Sequence, residues 1–256
     1  MDIVVHLASR VHVMQENEAD PLATFRRINV DATLNLARAA AAAGGRRFVF
    51  VSSVKVNGEA TTDRPFDHIV APAPIDPYGV SKMEAEIGLR EIARTTGMDV
   101  VIVRPPLVYG PGVGANFLRL LKLVRSGLPL PLASVKNQRS MVYLGNLVDL
   151  IRVCVTHPNA AGKTFLASDS EDVSTPELLR RIATAMGRPA RLLPFPPGLL
   201  GWIASVAGKG AEAERLLGSL QVDSSYARQQ LDWQPPFTMN EGLAETVRWF
   251  LSRPDA

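Results

Sequence analysis

The stretch DPYGVSK, residues 76–82, places a phenol and an ammonium group four residues apart at the predicted start of a helix. Asp76 can cap this helix, Pro77 suits its first position, and good helix formers follow. Residues four apart lie on one helical face, so Tyr78 and Lys82 project together. A neighbouring ammonium lowers the pKa of a phenol, so the pair can take a proton from an alcohol. A solvated surface pair is the alternative.

Four short runs of apolar and β-branched residues accompany this helix and indicate strands buried on both faces: residues 1–8, 48–51, 100–103 and 163–167. Helical patterns separate them, the first over residues 20–43. This alternation predicts an α/β fold with a doubly wound, Rossmann-like parallel sheet. Ligands of such sheets bind beyond the carboxyl ends of the strands, where Ala8, Ser53 and Pro105 lie.

The last third of the chain is predicted to form a smaller lobe. We expect a dinucleotide-binding domain over residues 1–168 and a mainly helical substrate-binding lobe over residues 169–256. Residues 192–208 contain no charged side chain, but prolines and glycines interrupt them and a membrane span needs ~20 residues. We therefore expect a core or lobe-packing segment there, and no membrane span.

Composition and charge narrow the class of protein. With 256 residues, 46% of them apolar, the chain can bury a sizeable core as one large domain or two smaller ones. A formal charge of +3 without a Lys/Arg block argues against a nucleic-acid surface and leaves room for a small phosphorylated ligand.

Cys154 is expected to pack in the core of a protein from a reducing compartment. We see no secretory signal, expect a cytoplasmic protein, and expect no metal site.

Several motifs together carry a family resemblance. They run in family order along nearly the whole chain: "HLAS" from His6, "NVDATLNLARAA" from Asn29, "VSSVKVNG" from Val51, "RPPLVYGPG" from Arg104, "RSMVYLGNLVDLI" from Arg139 and "LDWQPPFTMNEGLAETVRWF" from Leu231. With Tyr78 and Lys82 on a helix after a strand that ends in serine, the chain resembles the extended short-chain dehydrogenase/reductases, in their NAD-dependent sugar-nucleotide epimerase/dehydratase branch. Each motif alone is weak, and jointly they are specific.

The resemblance implies three catalytic residues. Tyr78 would be the acid/base, Lys82 its pKa-lowering partner and a ligand of the cofactor ribose, and Ser53 the hydroxyl that donates to the substrate oxygen. Ser52 competes with Ser53, which we favour because it precedes the four-residue spacer to Gly58. Both serines could instead only satisfy backbone groups.

The resemblance also implies binding residues, each with a structural alternative. Leu7, Ala8, Lys82 and Pro105 would contact NAD or NADP, and Asn116 and Arg139 would contact a nucleotide-diphosphate sugar. A bidentate guanidinium suits phosphate oxygens, as does a helix N-terminus. A proline that ends a strand, a helix-capping asparagine and a solvated loop arginine are the alternatives. A homodimer is also compatible with the resemblance.

The start of the chain departs from the family pattern. Family members carry a Gly-rich phosphate turn after their first strand, whereas Met1 falls where their fourth strand begins. We expect an N-terminally truncated product, whose reading frame continues upstream and encodes that turn. Its first strand would otherwise be an exposed apolar edge. The alternative is a non-enzymatic module that binds a nucleotide sugar or a partner and has lost cofactor binding.

The loop after Ser53 narrows the reaction. Family dehydratases and decarboxylases place an acidic residue two positions beyond the catalytic hydroxyl, where this chain has Lys55. Galactose-type epimerases carry an asparagine in the segment matched by residues 106–108, and this chain does not. We therefore expect a 4-epimerase or a 4-keto reductase, with the choice between them open.

Overall fold

The computed structural model describes residues 2–11, 20–208 and 210–253, so Met1 of the first predicted strand lies outside the described residues. The strands are β1 (Ile3–His6), β2 (Arg47–Val51), β3 (Asp99–Arg104), β4 (Leu107–Tyr109), β5 (Arg139–Tyr143), β6 (Thr164–Leu166) and β7 (Asp172–Val173). The helices are α1 (Pro21–Phe25), α2 (Ala32–Ala42), α3 (Pro77–Thr96), α4 (Ala115–Ser126), α5 (Leu144–Thr156), α6 (Thr175–Ala185), α7 (Pro197–Val206), α8 (Gly210–Leu217), α9 (Ser225–Leu231) and α10 (Met239–Leu251). A π-helical turn (Arg26–Asp31) joins α1 to α2.

The main sheet is parallel throughout, in the order β1, β2, β3, β6. Ile3 lies beside Arg47, which lies beside Asp99, so the carboxyl ends of the first three strands share one edge. A helix crosses over between each of these strands, as right-handed parallel connections require. The predicted α/β fold with a parallel sheet is confirmed.

Helices cover both faces of this sheet. Phe48 and Phe50 of β2 point to one side and pack with α2 and α3, whereas Val49 points to the other side and packs with α5 and α9. This period of two explains why the strand is apolar at successive positions. Cys154 of α5 is buried in the second of these clusters, where burial raises the pKa of its thiol to about 12.

A second, smaller sheet was missed by the sequence analysis. It has the order β4, β5, β7, with β5 parallel to β4 and antiparallel to β7. It contacts a third apolar cluster, formed mainly by α4, α6 and α10 and centred on Phe117, Leu121, Leu179, Ile182, Leu243 and Phe250. A capping box between Thr238 and Glu241 starts α10. The domain boundary at residue 168 stays a prediction.

Helix α7 differs from its predicted packing. None of its residues is buried, and Leu200 alone within it packs partly against the third cluster. Its other apolar side chains, Leu199, Trp202, Ile203 and Val206, are exposed and recur at the spacing of one helical face. The prediction of a core or lobe-packing segment is therefore confirmed for Leu192 and Leu200, which pack against this cluster, and is wrong for the exposed face. Within the described ranges, every helix is too short or not apolar enough to cross a bilayer.

Candidate active site

Tyr78 and Lys82 lie at the start of α3, next to the edge of the main sheet where the strands have their carboxyl ends. The Asp76 carboxylate caps the helix by accepting from the backbone N–H of Gly79 at 2.7 Å, and Pro77 takes the first position, as the sequence predicts. The helix continues to Thr96 and ends at Gly97, whose φ of 75° suits a glycine. The cap therefore fixes the start of α3, and with it the position of Tyr78 in the first turn.

The phenol of Tyr78 is half-buried, with the hydroxyls of Ser53 and Ser9 beside it. Burial is the largest effect on its pKa and raises it, the two neighbouring serine hydroxyls lower it, and the Asp76 carboxylate raises it. The sequence analysis expected a lowered pKa, and the structure gives a raised one. At neutral pH Tyr78 is therefore a protonated donor.

Lys82 is almost completely buried, with 1% of its surface exposed. Its Nζ donates to the Val51 carbonyl at 2.9 Å and lies 4.5 Å from the Phe50 ring centroid and 6.0 Å from that of Tyr78. Burial lowers the pKa of this lysine to about 8, and the Glu86 carboxylate opposes that shift. The ammonium is thus the main form at neutral pH.

The structure separates the two candidate serines. Ser52 is buried and donates to Glu86 Oε1 at 2.6 Å, and Glu86 also accepts from the Arg104 guanidinium at 2.9 and 2.5 Å. Ser53 is half-buried, and its hydroxyl accepts from the backbone N–H of Lys55 at 3.2 Å. Of the two serines, Ser53 is the one that contacts Tyr78, whereas the hydroxyl of Ser52 binds a buried carboxylate.

Two further residues of the site, Ser9 and Asn29, were missed by the sequence analysis. Asn29 is buried in the π-helical turn, where its Oδ1 accepts from Ser9 Oγ at 3.1 Å and from the Arg10 N–H at 2.8 Å. Its Nδ2 donates to Ser81 Oγ at 3.0 Å. Ser9 and Asn29 lie within two of the motifs quoted above. The sequence feature that could have identified Asn29 is an asparagine in an otherwise apolar helical stripe. Asn29 links the segment after β1 to the Tyr78 helix.

The predicted cofactor residues surround the same edge. Leu7 and Ala8 are exposed directly after β1. Pro105 is buried directly after β3, and its carbonyl accepts from the Val54 N–H at 2.9 Å. This bond fixes the turn that carries Ser53 against the end of the neighbouring strand. Their contacts with a cofactor stay predictions.

The predicted substrate residues lie on other elements. Arg139, the first residue of β5, is half-buried and donates to the carbonyls of Arg215 and Gly218 at 2.7 and 3.1 Å, at the end of α8. Burial lowers the pKa of its guanidinium. Asn116 is the second residue of α4 and is half-buried. The structure therefore holds Arg139 by carbonyl groups rather than leaving it a solvated loop residue.

The sequence of this chain is similar to a known protein family and to individual enzymes. Residues 1–167 match the family model described as NAD dependent epimerase/dehydratase family. A Vibrio cholerae UDP-glucose 4-epimerase is 47% identical over 251 residues, covering 97% of this chain and 76% of that protein. The Escherichia coli O157:H7 N-acetyl-alpha-D-glucosaminyl-diphospho-ditrans,octacis-undecaprenol 4-epimerase is 26% identical, covering 97% of this chain and 77% of that protein.

Solved structures share the fold at lower identity. The crystal structure of a Bacillus cereus UDP-glucuronic acid 4-epimerase in complex with NAD gives a TM-score of 0.77 at 20% identity. The match covers 97% of this chain and 72% of that one. At this identity the likeness shows the fold alone.

Proposed function

The chain belongs to the NAD-dependent epimerase/dehydratase family, and on this premise we propose that it carries out NAD(P)-dependent oxidoreduction at a sugar carbon of a nucleotide-diphosphate sugar. The reaction would be that of a 4-epimerase or a 4-keto reductase. The observation that carries this proposal is the contact of the Tyr78 phenol with the Ser53 hydroxyl, with the buried Lys82 ammonium beside them.

The residues present fit a nicotinamide cofactor. Leu7, Ala8 and Pro105 follow the carboxyl ends of parallel strands, where dinucleotides bind in such sheets. The ammonium of Lys82 reaches the same edge from α3, because it donates to the carbonyl of Val51 at the end of β2. We propose that these four residues hold the cofactor, with the Lys82 ammonium on its ribose. When bound, the cofactor supplies the hydride acceptor and donor.

Tyr78 and Ser53 would handle the proton and the sugar oxygen. In reduction, the protonated Tyr78 phenol gives its proton to the keto oxygen, while the Ser53 hydroxyl donates a second hydrogen bond to that oxygen. In oxidation, the phenolate takes the proton back from the alcohol. The Lys82 ammonium stabilises the phenolate, which matters because burial of Tyr78 disfavours that charge.

The substrate would lie across the smaller lobe, with Arg139 and Asn116 on its diphosphate. Arg139 would bind phosphate oxygens with donors that are not used by the carbonyls of Arg215 and Gly218. Asn116, in the first turn of α4, sits where helix N–H groups favour an anion. These two roles are proposals for the nucleotide part of the substrate.

The test compares Tyr78→Phe with Tyr226→Phe, because the ring of Tyr226 stacks between His68 and Phe165. We expect Tyr78→Phe to lose roughly 10²-fold or more of turnover while the control keeps it. Isomer formation from a UDP-hexose without net cofactor consumption would indicate an epimerase. Stoichiometric NADPH loss with a 4-keto sugar would indicate a reductase.

Two results would contradict the proposal. Full turnover in Tyr78→Phe would remove Tyr78 from the chemistry. Binding of UDP-sugar without any binding of NAD or NADPH, both measured by calorimetry, would favour the non-enzymatic module instead. Measured binding of a nicotinamide cofactor would exclude that module.

A second candidate substrate is a lipid-linked diphosphate sugar, and the exposed face of α7 favours it. Leu199, Trp202, Ile203 and Val206 form an apolar stripe on a helix without charge. Helices that lie in a membrane interface bury an apolar face that contains leucine and tryptophan. The Escherichia coli relative is named for an undecaprenol-linked sugar, which is the same chemical class.

Vesicle flotation separates the two substrates. With anionic phospholipid vesicles, the lipid-linked substrate predicts co-flotation and a blue shift of Trp202 fluorescence, both lost in Trp202→Ser. Trp249→Phe is the control, since Trp249 lies on α10, outside the stripe, with its ring against Arg253. No flotation, together with full turnover of a UDP-sugar, would reject the lipid-linked substrate.

A further inference from the structure

Lys55 interacts both with the start of the Tyr78 helix and with Ser53. Its ammonium pairs with the Asp76 carboxylate, which caps the Tyr78 helix, and with Glu59 at 2.9 Å. Its backbone N–H donates to the Ser53 hydroxyl at 3.2 Å. Lys55 therefore contacts both Asp76, which caps the Tyr78 helix, and the hydroxyl of Ser53.

We propose that Lys55 is a positioning residue of this site: its ammonium ties the cap of the Tyr78 helix to the Ser53 turn and offsets the negative charge of Asp76 beside the phenol. The inference rests on the function proposed above for Tyr78 and Ser53, and it adds a role for a residue outside the Ser53, Tyr78 and Lys82 group.

The packing around this pair is tight. The side chains of Lys55 and Asp76 are 24% and 18% exposed, so solvent screens the pair less than it screens a surface ion pair. A Cβ on Gly79 would lie 2.8 Å from the Lys55 carbonyl and 3.1 Å from the Asp76 carboxylate. The helix start and the Ser53 turn thus approach each other through backbone atoms, and the ion pair closes the same contact.

The pair also sets the charge that the phenol experiences. The Asp76 carboxylate raises the pKa of Tyr78, and a cation held against that carboxylate reduces its field. The titratable and charged groups on the end of β1 and the segment after it, the π-helical turn, the Ser53 turn and the first three turns of α3 are His6, Arg10, Arg26, Arg27, Asp31, Lys55, Glu59, Asp76, Lys82, Glu84 and Glu86. Of these, Asp76 is the one whose charge raises the Tyr78 pKa, and the Lys55 ammonium pairs with it.

This arrangement predicts opposite effects from its two partners. Lys55→Met removes a cation that faces the Asp76 carboxylate and should raise the Tyr78 pKa by about one pH unit. Asp76→Asn removes that charge and should lower the pKa by a similar amount, while asparagine keeps the helix cap. The double variant should return toward the value of the unchanged protein, because the two effects share one ion pair.

The experiment is an NMR titration of the full chain labelled with ¹³C at the tyrosine ring carbon that bears oxygen. The chain has 4 tyrosines, and Tyr78→Phe identifies the Tyr78 signal. Lys122→Met is the control, since Lys122 is an exposed lysine on α4. Lys55→Arg should restore the Tyr78 pKa, because it keeps the cation.

The readout separates positioning from general support of the fold. A purely structural role would lower the thermal midpoint of Lys55→Met and leave the Tyr78 pKa in place, and that result would overturn the proposal. Shifts of the same sign in Lys55→Met and Asp76→Asn would also overturn it. The titration needs no substrate, so the Tyr78 pKa values can be interpreted even if the protein does not catalyse the proposed reaction. Equally, unchanged pKa values would not affect the turnover test of the proposed function.

Discussion

Replacing Lys82 by methionine should change how the stability of the protein depends on pH. The buried ammonium has its pKa lowered from 10.5 to about 8, mainly by burial. The folded chain therefore releases this proton before the unfolded chain does. Between about pH 8 and pH 10.5 the unfolded state binds more protons, so the stability of the unchanged protein rises with pH across that window.

The magnitude follows from the shift. A change from 10.5 to about 8 corresponds to about 3 kcal/mol of destabilisation by the charged lysine at pH 7, since one unit is worth ~1.4 kcal/mol. At pH 10 roughly 1 kcal/mol of this cost remains. Methionine has a similar length and no charge, so Lys82→Met should lack this pH dependence. The unchanged protein should gain about 2 kcal/mol relative to the variant between pH 7 and pH 10.

Urea unfolding of both proteins at pH 7, 8, 9 and 10 measures this difference directly. Other groups that titrate in this range cancel, because both proteins contain them. Lys122→Met removes an exposed lysine on α4 and should show no such pH-dependent difference. A difference between the unchanged protein and Lys82→Met that stays constant from pH 7 to pH 10 would refute the reasoning.

Other substitutions test the buried polar contacts by urea unfolding at pH 7. Arg104→Met removes the buried guanidinium from the Glu86 carboxylate, which keeps only the half-exposed Arg90 at 3.5 Å, and should cost about 3–5 kcal/mol. Tyr109→Phe removes the donor to Asp169 at 2.7 Å and should cost about 1–3 kcal/mol. Thr238→Ala removes the capping box of α10 and should cost about 1 kcal/mol. A loss for Arg104→Met no larger than that for Thr238→Ala would contradict the first estimate.

Much of the main sheet could be predicted because local pattern and tertiary packing agree there. The run at residues 100–103 became β3 (Asp99–Arg104), and the run at residues 163–167 became β6 (Thr164–Leu166). Both are buried on two faces, so their apolar residues are continuous and easily recognised. The small sheet escaped prediction because β4 and β7 have only three and two residues, and their pairing is set by distant parts of the chain.

Helix α7 shows where pattern alone fails. Its uncharged sequence fits a buried helix as well as an exposed apolar one, and only contacts with other elements distinguish the two. In the structure its stripe of Leu199, Trp202, Ile203 and Val206 faces away from the core. Periodicity gives the relative positions of side chains on a helix, but not the direction in which that face points.

The candidate site could be predicted in part. Spacing places Tyr78 and Lys82 on one helical face, and a strand end delivers Ser53 to the same edge of the sheet. The direction of the Tyr78 pKa could not be predicted, because it depends on burial by distant segments. Ser9 escaped for the same reason, since its partner Asn29 lies 20 residues further along the chain.

Two buried polar side chains hold the elements of the site in place. Asn29 bonds to the segment after β1 and to Ser81 of the Tyr78 helix, and Glu86 of that helix bonds to Ser52 and to Arg104 of β3. Each would be costly if left unpaired, so each fixes the distance between the elements that it joins. Because the helix is held from both sides, the Tyr78 phenol meets the Ser53 hydroxyl without further adjustment. For the proposed reaction, this preorganisation would matter as well as the shifted pKa of the phenol.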